Sequence, residues 1–349
     1  MIVHENRRRR SIAPGSPVFV IAEAGVNHNG DPDLAAALVD AAAEAGADAV
    51  KFQTFHTDAV VTAGARQAAY QKRHAPAVSQ GAMLRPLELS GPVHRLLRAR
   101  ARRRGLYFLS TPFDEASARM LDELGVPLFK VASGELTNLP FLAYVARLGR
   151  PVILSTGMST LEEVRQAVRT IRRAGNPPLA LLHCVSSYPA RVEDMNLRAM
   201  ETLTRAFRVP VGLSDHTTGT AVSIAAAGLG ATIIEKHLTT DRTLAGPDHA
   251  ASLEPREFAQ MVAGIRDVER ALGSGVKKPA AAEREVARVA RRSVVAAVDI
   301  PRGARITARM LACKRPGTGI PPSRIGDVVG RRAARLLAVD HMIAPADLA

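Results

Sequence analysis

The sequence contains no tryptophan, and its aromatic residues make up only 4% of 349 positions. So few rings exclude the stacking platforms on which proteins bind single-stranded nucleic acid. Only two cysteines are present, Cys184 and Cys313, and they lie far apart without Cys-x-x-Cys spacing. A disulfide framework or a structural zinc site is therefore not expected. Cys184 follows an apolar run and is interpreted as a small buried residue.

Long uncharged hydrophobic runs are also missing from the sequence. No stretch approaches the ~20 residues that a membrane helix needs, so we expect no membrane segment. Arg7 to Arg10 imitate the basic start of a signal peptide, but the apolar stretch after them contains Glu23 and lacks the usual cleavage site. We therefore predict a cytoplasmic protein.

Acidic residues are outnumbered: 33 of them stand against 47 Lys and Arg, which gives a formal net charge of +14. A basic chain can bind nucleic acid or an anionic surface. The alternative is an arginine-rich composition combined with a site for anionic substrates. We favour the alternative and expect no nucleic-acid partner, because the arginines are spread over many predicted helices and form no single stripe.

Eight short apolar runs recur along the first 240 residues, at 18–22, 48–52, 106–110, 127–131, 151–155, 179–183, 210–214 and 231–237. Helical periodicity fills the gaps between them, as in residues 32–46, where Asp31 is the predicted N-cap and Gly46 the terminator. Strands that alternate with helices in this way are typical of parallel βα units. The sequence therefore predicts an α/β fold, a (β/α)8 TIM barrel. The segment 54–87 has no assignment and is expected to be a long loop with a short helix over the rim.

The composition changes after Leu272, where Gly and Lys-Lys-Pro sequences are typical of a linker. From Ser293 onward the runs are short and β-like. We predict a barrel domain over 1–272, a linker over 273–290 and a small β-rich domain over 291–349.

Nearly every predicted strand ends in polar residues, as expected of a barrel enzyme, because reactive groups lie at the C-terminal rim of such barrels. His216 and His237 end two successive strands and could share a divalent cation, with Asp215, Glu235 and Asp248 to complete or orient the shell. The alternative is a pair of hydrogen-bonded structural histidines.

Three lysines also lie at strand ends: Lys51, Lys130 and Lys236. A lysine at this position binds phosphate, forms a Schiff base or extends into solvent. Because several hydroxyl residues accompany these lysines, the pattern favours a cradle for an oxyanion such as phosphate. Glu23 and Glu135 are rim carboxylates that could act as a general base, bind a hydroxylated substrate or pair with a lysine. Asn27 and His28, near Glu23, are either turn residues or site residues.

Nine motifs occur in one order along the barrel: AEAGVNHNG, KFQ, STPFD, KVASGE, STGM, HCVSSYP, GLSDHT, EKHLTTD and GPDHAASLEP. Together they resemble those of the sialic acid synthase family. The last domain, with KRPGTGI near its middle, resembles the antifreeze-like (SAF) domain that ends those enzymes. The resemblance covers residues 17–349.

The resemblance implies condensation of phosphoenolpyruvate with an open-chain 2-acetamido-hexose such as N-acetylmannosamine. The product would be a nine-carbon 2-keto sugar acid, a sialic or other nonulosonic acid, and phosphate would be released. The family's metal is usually Mn²⁺, with Mg²⁺ as the alternative, and its implied ligands are His216 and His237. The residues implied to hold phosphoenolpyruvate are Lys51, Thr111, Lys130, Ser133, Ser155, Ser186 and Ser214.

The resemblance also implies contacts to the sugar or to the catalytic water, from Glu23, Gln53, Glu135, Tyr188 and Asp248. Of all these residues, Glu23, Glu135, Lys51 and Lys130 are the expected catalytic groups. Arg315 of the SAF domain would reach the sugar's acyl group across a domain-swapped homodimer.

The sugar is left open: N-acetylmannosamine, its 6-phosphate and dideoxy-diacetamido sugars all remain candidates. Synthases that make heptulosonate or octulosonate phosphates are a rival class, which the SAF-like residues 291–349 argue against. A non-catalytic sugar- or anion-binding protein is a second rival, and the intact set of rim residues argues against it.

Overall fold

Each of the eight apolar runs forms a strand in the computed structural model, which describes residues 1–5 and 8–349. They are β3 (Phe19–Gly25), β4 (Ala49–Thr54), β5 (Tyr107–Pro112), β6 (Phe129–Val131), β7 (Val152–Ser155), β8 (Leu179–Cys184), β9 (Val211–Asp215) and β10 (Ile233–His237). All pairings between them are parallel, in the order β5-β4-β3-β10-β9-β8-β7-β6, and β6 lies beside β5. The predicted TIM barrel is therefore confirmed.

Helices follow the strands as the sequence patterns predict. Those of the barrel are α1 (Pro32–Glu44), α5 (Gly91–Arg103), α6 (Glu115–Leu124), α7 (Leu139–Arg147), α8 (Leu161–Ala174), α9 (Ala199–Phe207), α10 (Ala221–Gly228) and α11 (Pro255–Leu272). Asp31 caps α1 by accepting a hydrogen bond from the Asp33 amide at 2.8 Å. Thr160 and Glu163 form a reciprocal capping box at the start of α8.

The segment between β4 and α5 has more regular structure than the one short helix expected from its sequence. It contains α2 (Thr57–Val60), α3 (Ala69–His74), α4 (Gln80–Leu84) and a 3₁₀ turn at Arg85–Leu87. We call residues 55–88 the cover segment. Its side chains Phe55, Val60, Leu84 and Leu87 pack with Val26 and Phe113 in a small apolar cluster next to the barrel rim.

Side chains that face the barrel interior change from apolar to polar along each strand. On β4, Ala49 belongs to a buried apolar cluster, while Lys51 and Gln53, two and four positions later, line a cavity. This follows from the two-residue period of a strand, which keeps alternate side chains on one face. The first half of the barrel is thus filled by Phe19, Ile21, Leu109, Leu182 and similar residues, and the second half holds polar groups.

An antiparallel hairpin that the sequence patterns did not predict extends this apolar cluster. Its strands are β1 (Ile2–Glu5) and β2 (Arg8–Ser11), and Val3 and Ile12 are fully buried in the cluster. Arg8 lies 4.8 Å from the ring centre of Tyr107. Arg8 and Arg10, which imitate a signal peptide in the sequence, therefore belong to the fold; Arg7 lies outside the described residues.

Because Ile12 has no exposed surface, Ile12→Ala should lower the free energy of unfolding by about 3 kcal/mol, the usual cost of leaving a cavity in a core. Denaturant unfolding of the full chain measures the loss. Ile2→Ala is the matched control, because Ile2 is 37% exposed in the same hairpin. Equal losses in both variants would show that Ile12 does not anchor the hairpin.

The chain divides into two compact units, Met1–Gly273 and Ser274–Ala349. The second contains α12 (Glu283–Ala290) and the antiparallel pair β11 (Ser293–Ala296) and β12 (Leu311–Lys314). Short 3₁₀ turns connect its remaining segments, and its core includes Val294, Ile306 and Leu337. Part of the expected linker 273–290 is therefore helical. Over residues 1–5 and 8–349, no helix has both the length and the apolar character needed to cross a membrane.

Candidate active site

A cavity of about 450 Å³ opens at the carboxyl ends of the barrel strands. The predicted site residues that line it are Glu23, Lys51, Gln53, Thr111, Lys130, Ser133, Ser155, Ser186, Tyr188, Ser214, His216, His237 and Asp248. They come from all eight strands or the loops directly after them. Its size lies within the range of sites that hold small molecules.

Two lysines and two carboxylates form the bottom of this cavity, and we call Glu23, Lys51, Lys130 and Glu235 the ionic floor. Lys51 Nζ lies 2.6 Å from Glu23 Oε2 and donates to Thr111 Oγ1 at 2.9 Å. Glu235 lies between the lysines, 3.7 Å from Lys51 Nζ and 3.4 Å from Lys130 Nζ. All four side chains are almost completely buried, so their charges interact strongly.

Burial and neighbouring charges shift the pKa values of the ionic-floor residues in different directions. It raises the pKa of Glu23 to about 7, since desolvation and the charge of Glu235 outweigh the attraction of Lys51. Burial also lowers the pKa of Lys130. For Glu235, desolvation is outweighed by Lys130 and Lys51, so its pKa falls below the usual value. Glu23 is thus a carboxyl that can exchange a proton near neutral pH.

Hydroxyl groups surround the ionic floor. Ser214 Oγ donates to Glu235 Oε1 at 3.0 Å, and Ser133 Oγ accepts from the Gly157 amide at 2.9 Å. Ser155 Oγ is buried and has no hydrogen-bond partner among the described residues. A buried hydroxyl without a partner costs free energy, so Ser155 is a donor available to a ligand.

The two histidines lie side by side next to the floor, with ring centres 5.4 Å apart. His216 Nδ1 donates to the Val185 carbonyl at 2.8 Å, which leaves Nε2 free for another partner. His237 Nδ1 is buried, lacks a hydrogen-bond partner in the described chain, and lies 3.8 Å from Asp248 Oδ2. Burial and the neighbouring His216 hold the pKa of His237 well below its usual value, so its ring is neutral, as a metal ligand must be.

No group of three or more His, Cys, Asp or Glu with metal-binding geometry occurs in the part of the chain that the structure describes. A cation held by the histidine pair would therefore have two protein ligands and would need oxygen atoms from water or substrate to complete its shell. His216 is also 3.9 Å from Cys184 Sγ. Cys184 is buried, as predicted from the sequence, and lines the cavity.

Lys236 and Asp215 do not belong to the cavity, so the prediction that they join the phosphate cradle and the metal shell is wrong. Strand alternation places Lys236 between the inward-facing Glu235 and His237 and turns it to the outer face of the barrel. There its Nζ lies 3.0 Å from Asp215 Oδ2 with no exposed surface on either side chain. Asp215 also accepts from Ser223 Oγ at 2.6 Å. This pair is structural.

Another predicted site residue, Glu135, does not line the cavity. Glu135 is half-buried in a 3₁₀ turn, Ser133–Glu135, and accepts from Asn138 Nδ2 at 2.8 Å. Arg315 belongs to the second unit, where its Nε donates to the Ala290 carbonyl at 3.1 Å.

Asn27 and His28, which the sequence left as either turn residues or site residues, both stabilise the fold. Asn27 Nδ2 donates to the Leu238 carbonyl at 2.9 Å and to Ser252 Oγ at 2.8 Å, which ties the loop after β3 to the loop after β10. His28 Nδ1 accepts from the Gly30 amide at 2.9 Å, and burial lowers its pKa to about 4.

The cover segment contributes residues for which the sequence carried no signal. Tyr70 stacks on Tyr188 with ring centres 5.1 Å apart, and Tyr188 in turn lies 4.2 Å from the His216 ring. Gln71, Met83 and Leu84 also line the cavity. No motif marks these positions, because their place depends on how three short helices fold over the rim.

Comparison with known proteins gives matches over both units. The model of the NeuB family matches residues 38–277, and that of the SAF domain matches residues 291–349. An N,N'-diacetyllegionaminic acid synthase from Legionella pneumophila is 49% identical over 95% of this chain and 96% of its own length. The human N-acetylneuraminate-9-phosphate synthase is 39% identical over 94% of this chain and 91% of its own.

A solved structure agrees with these sequence matches. The crystal structure of an N-acetylneuraminic acid synthetase from Leptospira borgpetersenii, in complex with citrate, superimposes with a TM-score of 0.72. The two chains are 37% identical, and the alignment covers 82% of this chain and 95% of the other.

Proposed function

This chain belongs to the NeuB family and is a synthase, and on that premise we propose that it condenses phosphoenolpyruvate with an open-chain acetamido-hexose. The product is a nine-carbon 2-keto sugar acid, and inorganic phosphate is released. The observation that carries the proposal is the ionic floor, with its ring of hydroxyls, next to a neutral histidine in one cavity. The ionic floor with its hydroxyls suits the binding of an anion, and the neutral histidine suits the activation of a carbonyl group.

Phosphoenolpyruvate binds at the floor. Its phosphate is held by Lys51 and Lys130 together with the hydroxyls of Thr111, Ser155 and Ser214, because buried cations and hydroxyl donors are the usual partners of an oxyanion. When bound, the negatively charged ligand pairs with the two lysines partly in place of Glu23 and Glu235. Ser133 and Ser186, which also line the cavity, complete this half of the site.

The sugar aldehyde lies above, near Gln53, Tyr188 and Asp248. His216 and His237 would hold a divalent cation, Mn²⁺ in this proposal with Mg²⁺ as the alternative. When bound, that cation supplies Lewis acidity toward the aldehyde oxygen. The buried, unpartnered His237 nitrogen fits this role.

In the reaction, C3 of phosphoenolpyruvate forms a bond to the aldehyde carbon, and the aldehyde oxygen takes a proton to become a hydroxyl. Water adds to C2 and loses one proton. The C2–O bond to phosphate then breaks, and the new C2 hydroxyl passes its remaining proton to the departing phosphate, which leaves the 2-keto group. Asp248, whose pKa is raised to about 6 by burial, can supply the first proton. Glu23 takes the proton from water, in preference to Glu135, since Glu135 does not line the cavity.

The test is a panel of acetamido-hexoses with phosphoenolpyruvate and Mn²⁺, scored by phosphate release and by the mass of the product. At least one sugar should give phosphate and a 2-keto acid in equal amounts. Omission of the sugar should stop both. Release of phosphate at the same rate without any sugar would contradict the proposal and indicate a phosphatase.

The matched SAF domain favours this reaction over heptulosonate- or octulosonate-phosphate synthesis. The domain-swapped homodimer, the reach of Arg315 to the sugar's acyl group and the cytoplasmic location stay predictions.

A further inference from the structure

Asp248 lies on a loop, and its carboxylate has little of its own to hold it in place. The loop comprises residues 238–253, between β10 and α11, and we call it the Asp248 loop. The Asp248 carboxylate lines the cavity, and its Oδ2 lies 3.8 Å from His237 Nδ1, which is too far for a hydrogen bond. The place of this carboxylate in the cavity therefore depends on the backbone that carries it.

The backbone bonds of the loop fix its end more firmly than its middle. The Leu253 amide donates to the His237 carbonyl at 2.9 Å, which fastens the end of the loop to β10. Asp248 lies in the middle, directly before a 3₁₀ turn, His249–Ala251. Its carbonyl accepts from the Ala251 amide at 3.1 Å, but this bond lies within the turn and moves with it. A contact from outside the turn is needed to fix Asp248 relative to the barrel.

Asn27, in the loop after β3, supplies that contact through Ser252. Asn27 Nδ2 donates to Ser252 Oγ at 2.8 Å, and Ser252 Oγ donates in turn to the Asp248 carbonyl at 2.7 Å. Asn27 Nδ2 also donates to the Leu238 carbonyl at 2.9 Å, at the start of the same loop. Asn27 and Ser252 are 1% and 2% exposed, so water competes little for these bonds. A chain of buried hydrogen bonds thus links the loop after β3 to the backbone of Asp248.

Two further observations single out the loop after β3 as the support of the Asp248 loop. Asn27 Oδ1 is buried without a hydrogen-bond partner within the described ranges; such an atom costs free energy, and groups that break this rule are usually at functional sites. Asn29 Nδ2 donates to the Ala245 carbonyl at 3.0 Å, and Asn29 Oδ1 lies 3.2 Å from His249 Nε2. The support therefore contacts the loop on both sides of Asp248 in the sequence.

We propose that Asn27 and Ser252 are positioning residues, which place the Asp248 carboxylate against the sugar aldehyde. The inference rests on the proposed function, in which Asp248 supplies a proton to the aldehyde oxygen. Neither Asn27 nor Ser252 lines the cavity, so both act through Asp248 and not on a substrate. A reacting group must be held within about 0.5 Å of its productive place, and hydrogen bonds from the residues behind it supply that restraint.

Ser252→Ala removes the middle of the chain and leaves the bond from Asn27 to Leu238 intact. With the acetamido-hexose that releases phosphate fastest, it should lower kcat by about tenfold, because the proton donor is misplaced, and leave the KM for phosphoenolpyruvate unchanged. Ser223→Ala is the matched control. Ser223 is equally buried and donates to Asp215 Oδ2 at 2.6 Å outside the cavity, so its loss should lower stability and leave kcat at the wild-type value.

A double-mutant cycle with Asp248→Asn separates positioning of the carboxylate from a general loss of structure. If Ser252 acts through that carboxylate, Ser252→Ala should change kcat by less than about twofold in the Asp248→Asn background, since the two effects are then not additive. An equal tenfold loss in both backgrounds would overturn the inference, and so would a wild-type kcat in Ser252→Ala alone.

Crystal structures of the wild-type protein and of Ser252→Ala give a readout that needs no turnover. The Asp248 carboxylate should be displaced by about 0.5 Å or more in the variant. A carboxylate that stays in place would overturn the inference. If the carboxylate moves but no acetamido-hexose yields phosphate with the wild-type protein, the proposed function fails, while the positioning of Asp248 by Asn27 and Ser252 stands.

Discussion

His237→Ala is expected to reduce phosphate release from phosphoenolpyruvate and sugar by about a thousandfold, and to lower the amount of Mn²⁺ that remains bound after gel filtration. His237 offers a neutral, buried nitrogen without a hydrogen-bond partner in the described chain, next to His216. Because the proposed cation site has only these two histidines as ligands, loss of one leaves a single imidazole, which is too few to hold a divalent cation. Steady-state kinetics and metal analysis of the purified variant check both effects.

His56→Ala is the matched control for this variant. His56 is largely exposed and lies outside the cavity lining, so both metal content and turnover should stay at the wild-type level. If His237→Ala kept its bound metal, the histidine pair would not be the cation site. If it lost the metal but kept its turnover, the assigned carbonyl activation would be wrong.

Two buried lysines at strand ends should differ in their response to substitution by methionine: one variant should lose activity, and the other should lose stability. Lys130→Met should lower kcat/KM for phosphoenolpyruvate by about a thousandfold, since a cation aimed at the ligand's oxyanion is removed. Its stability should change little, because burial already disfavours the charged form of Lys130 and Glu235 keeps Lys51 as a partner.

Lys236→Met leaves Asp215 buried without its cationic partner and should cost about 3–5 kcal/mol of folding free energy. The protein that remains folded should keep the wild-type KM for phosphoenolpyruvate, since Lys236 faces away from the cavity. Urea unfolding and steady-state kinetics on both variants separate the effects. A raised KM in Lys236→Met, or a wild-type KM in Lys130→Met, would show that the assignment of the lysines to the two faces is wrong.

These two lysines also show which parts of the structure the sequence could predict. The eight strands were predictable because each is a short apolar run followed by a helix with recognisable end signals, as at Asp31 and Thr160. Residues such as Lys51, Ser155 and His216 were predictable because they lie near or just after the carboxyl ends of strands that meet at one rim. Lys236 was misassigned because position at a strand end was considered without the alternation that decides which face a side chain occupies.

The other features that the sequence did not predict depend on contacts between residues that are far apart in the sequence or on the conformation of a turn. Tyr70 gains its position from a ring on the loop after β8, more than a hundred residues away, and no local pattern encodes that pairing. The hairpin of β1 and β2 is explained by the apolar cluster that Val3 and Ile12 enter, yet its sequence is dominated by arginine. Glu135 matched a motif, but the turn that follows β6 directs it to Asn138.

The central claim is that carbon–carbon bond formation is followed by cleavage of the C2–O bond of phosphoenolpyruvate. It is tested most directly by running the reaction with [3-¹³C]phosphoenolpyruvate in H₂¹⁸O and analysing both products by mass spectrometry. We predict a nine-carbon 2-keto acid that carries the ¹³C label, and inorganic phosphate without ¹⁸O, because water attacks carbon. Labelled pyruvate together with phosphate that contains ¹⁸O would contradict the account, since it would show hydrolysis at phosphorus without condensation.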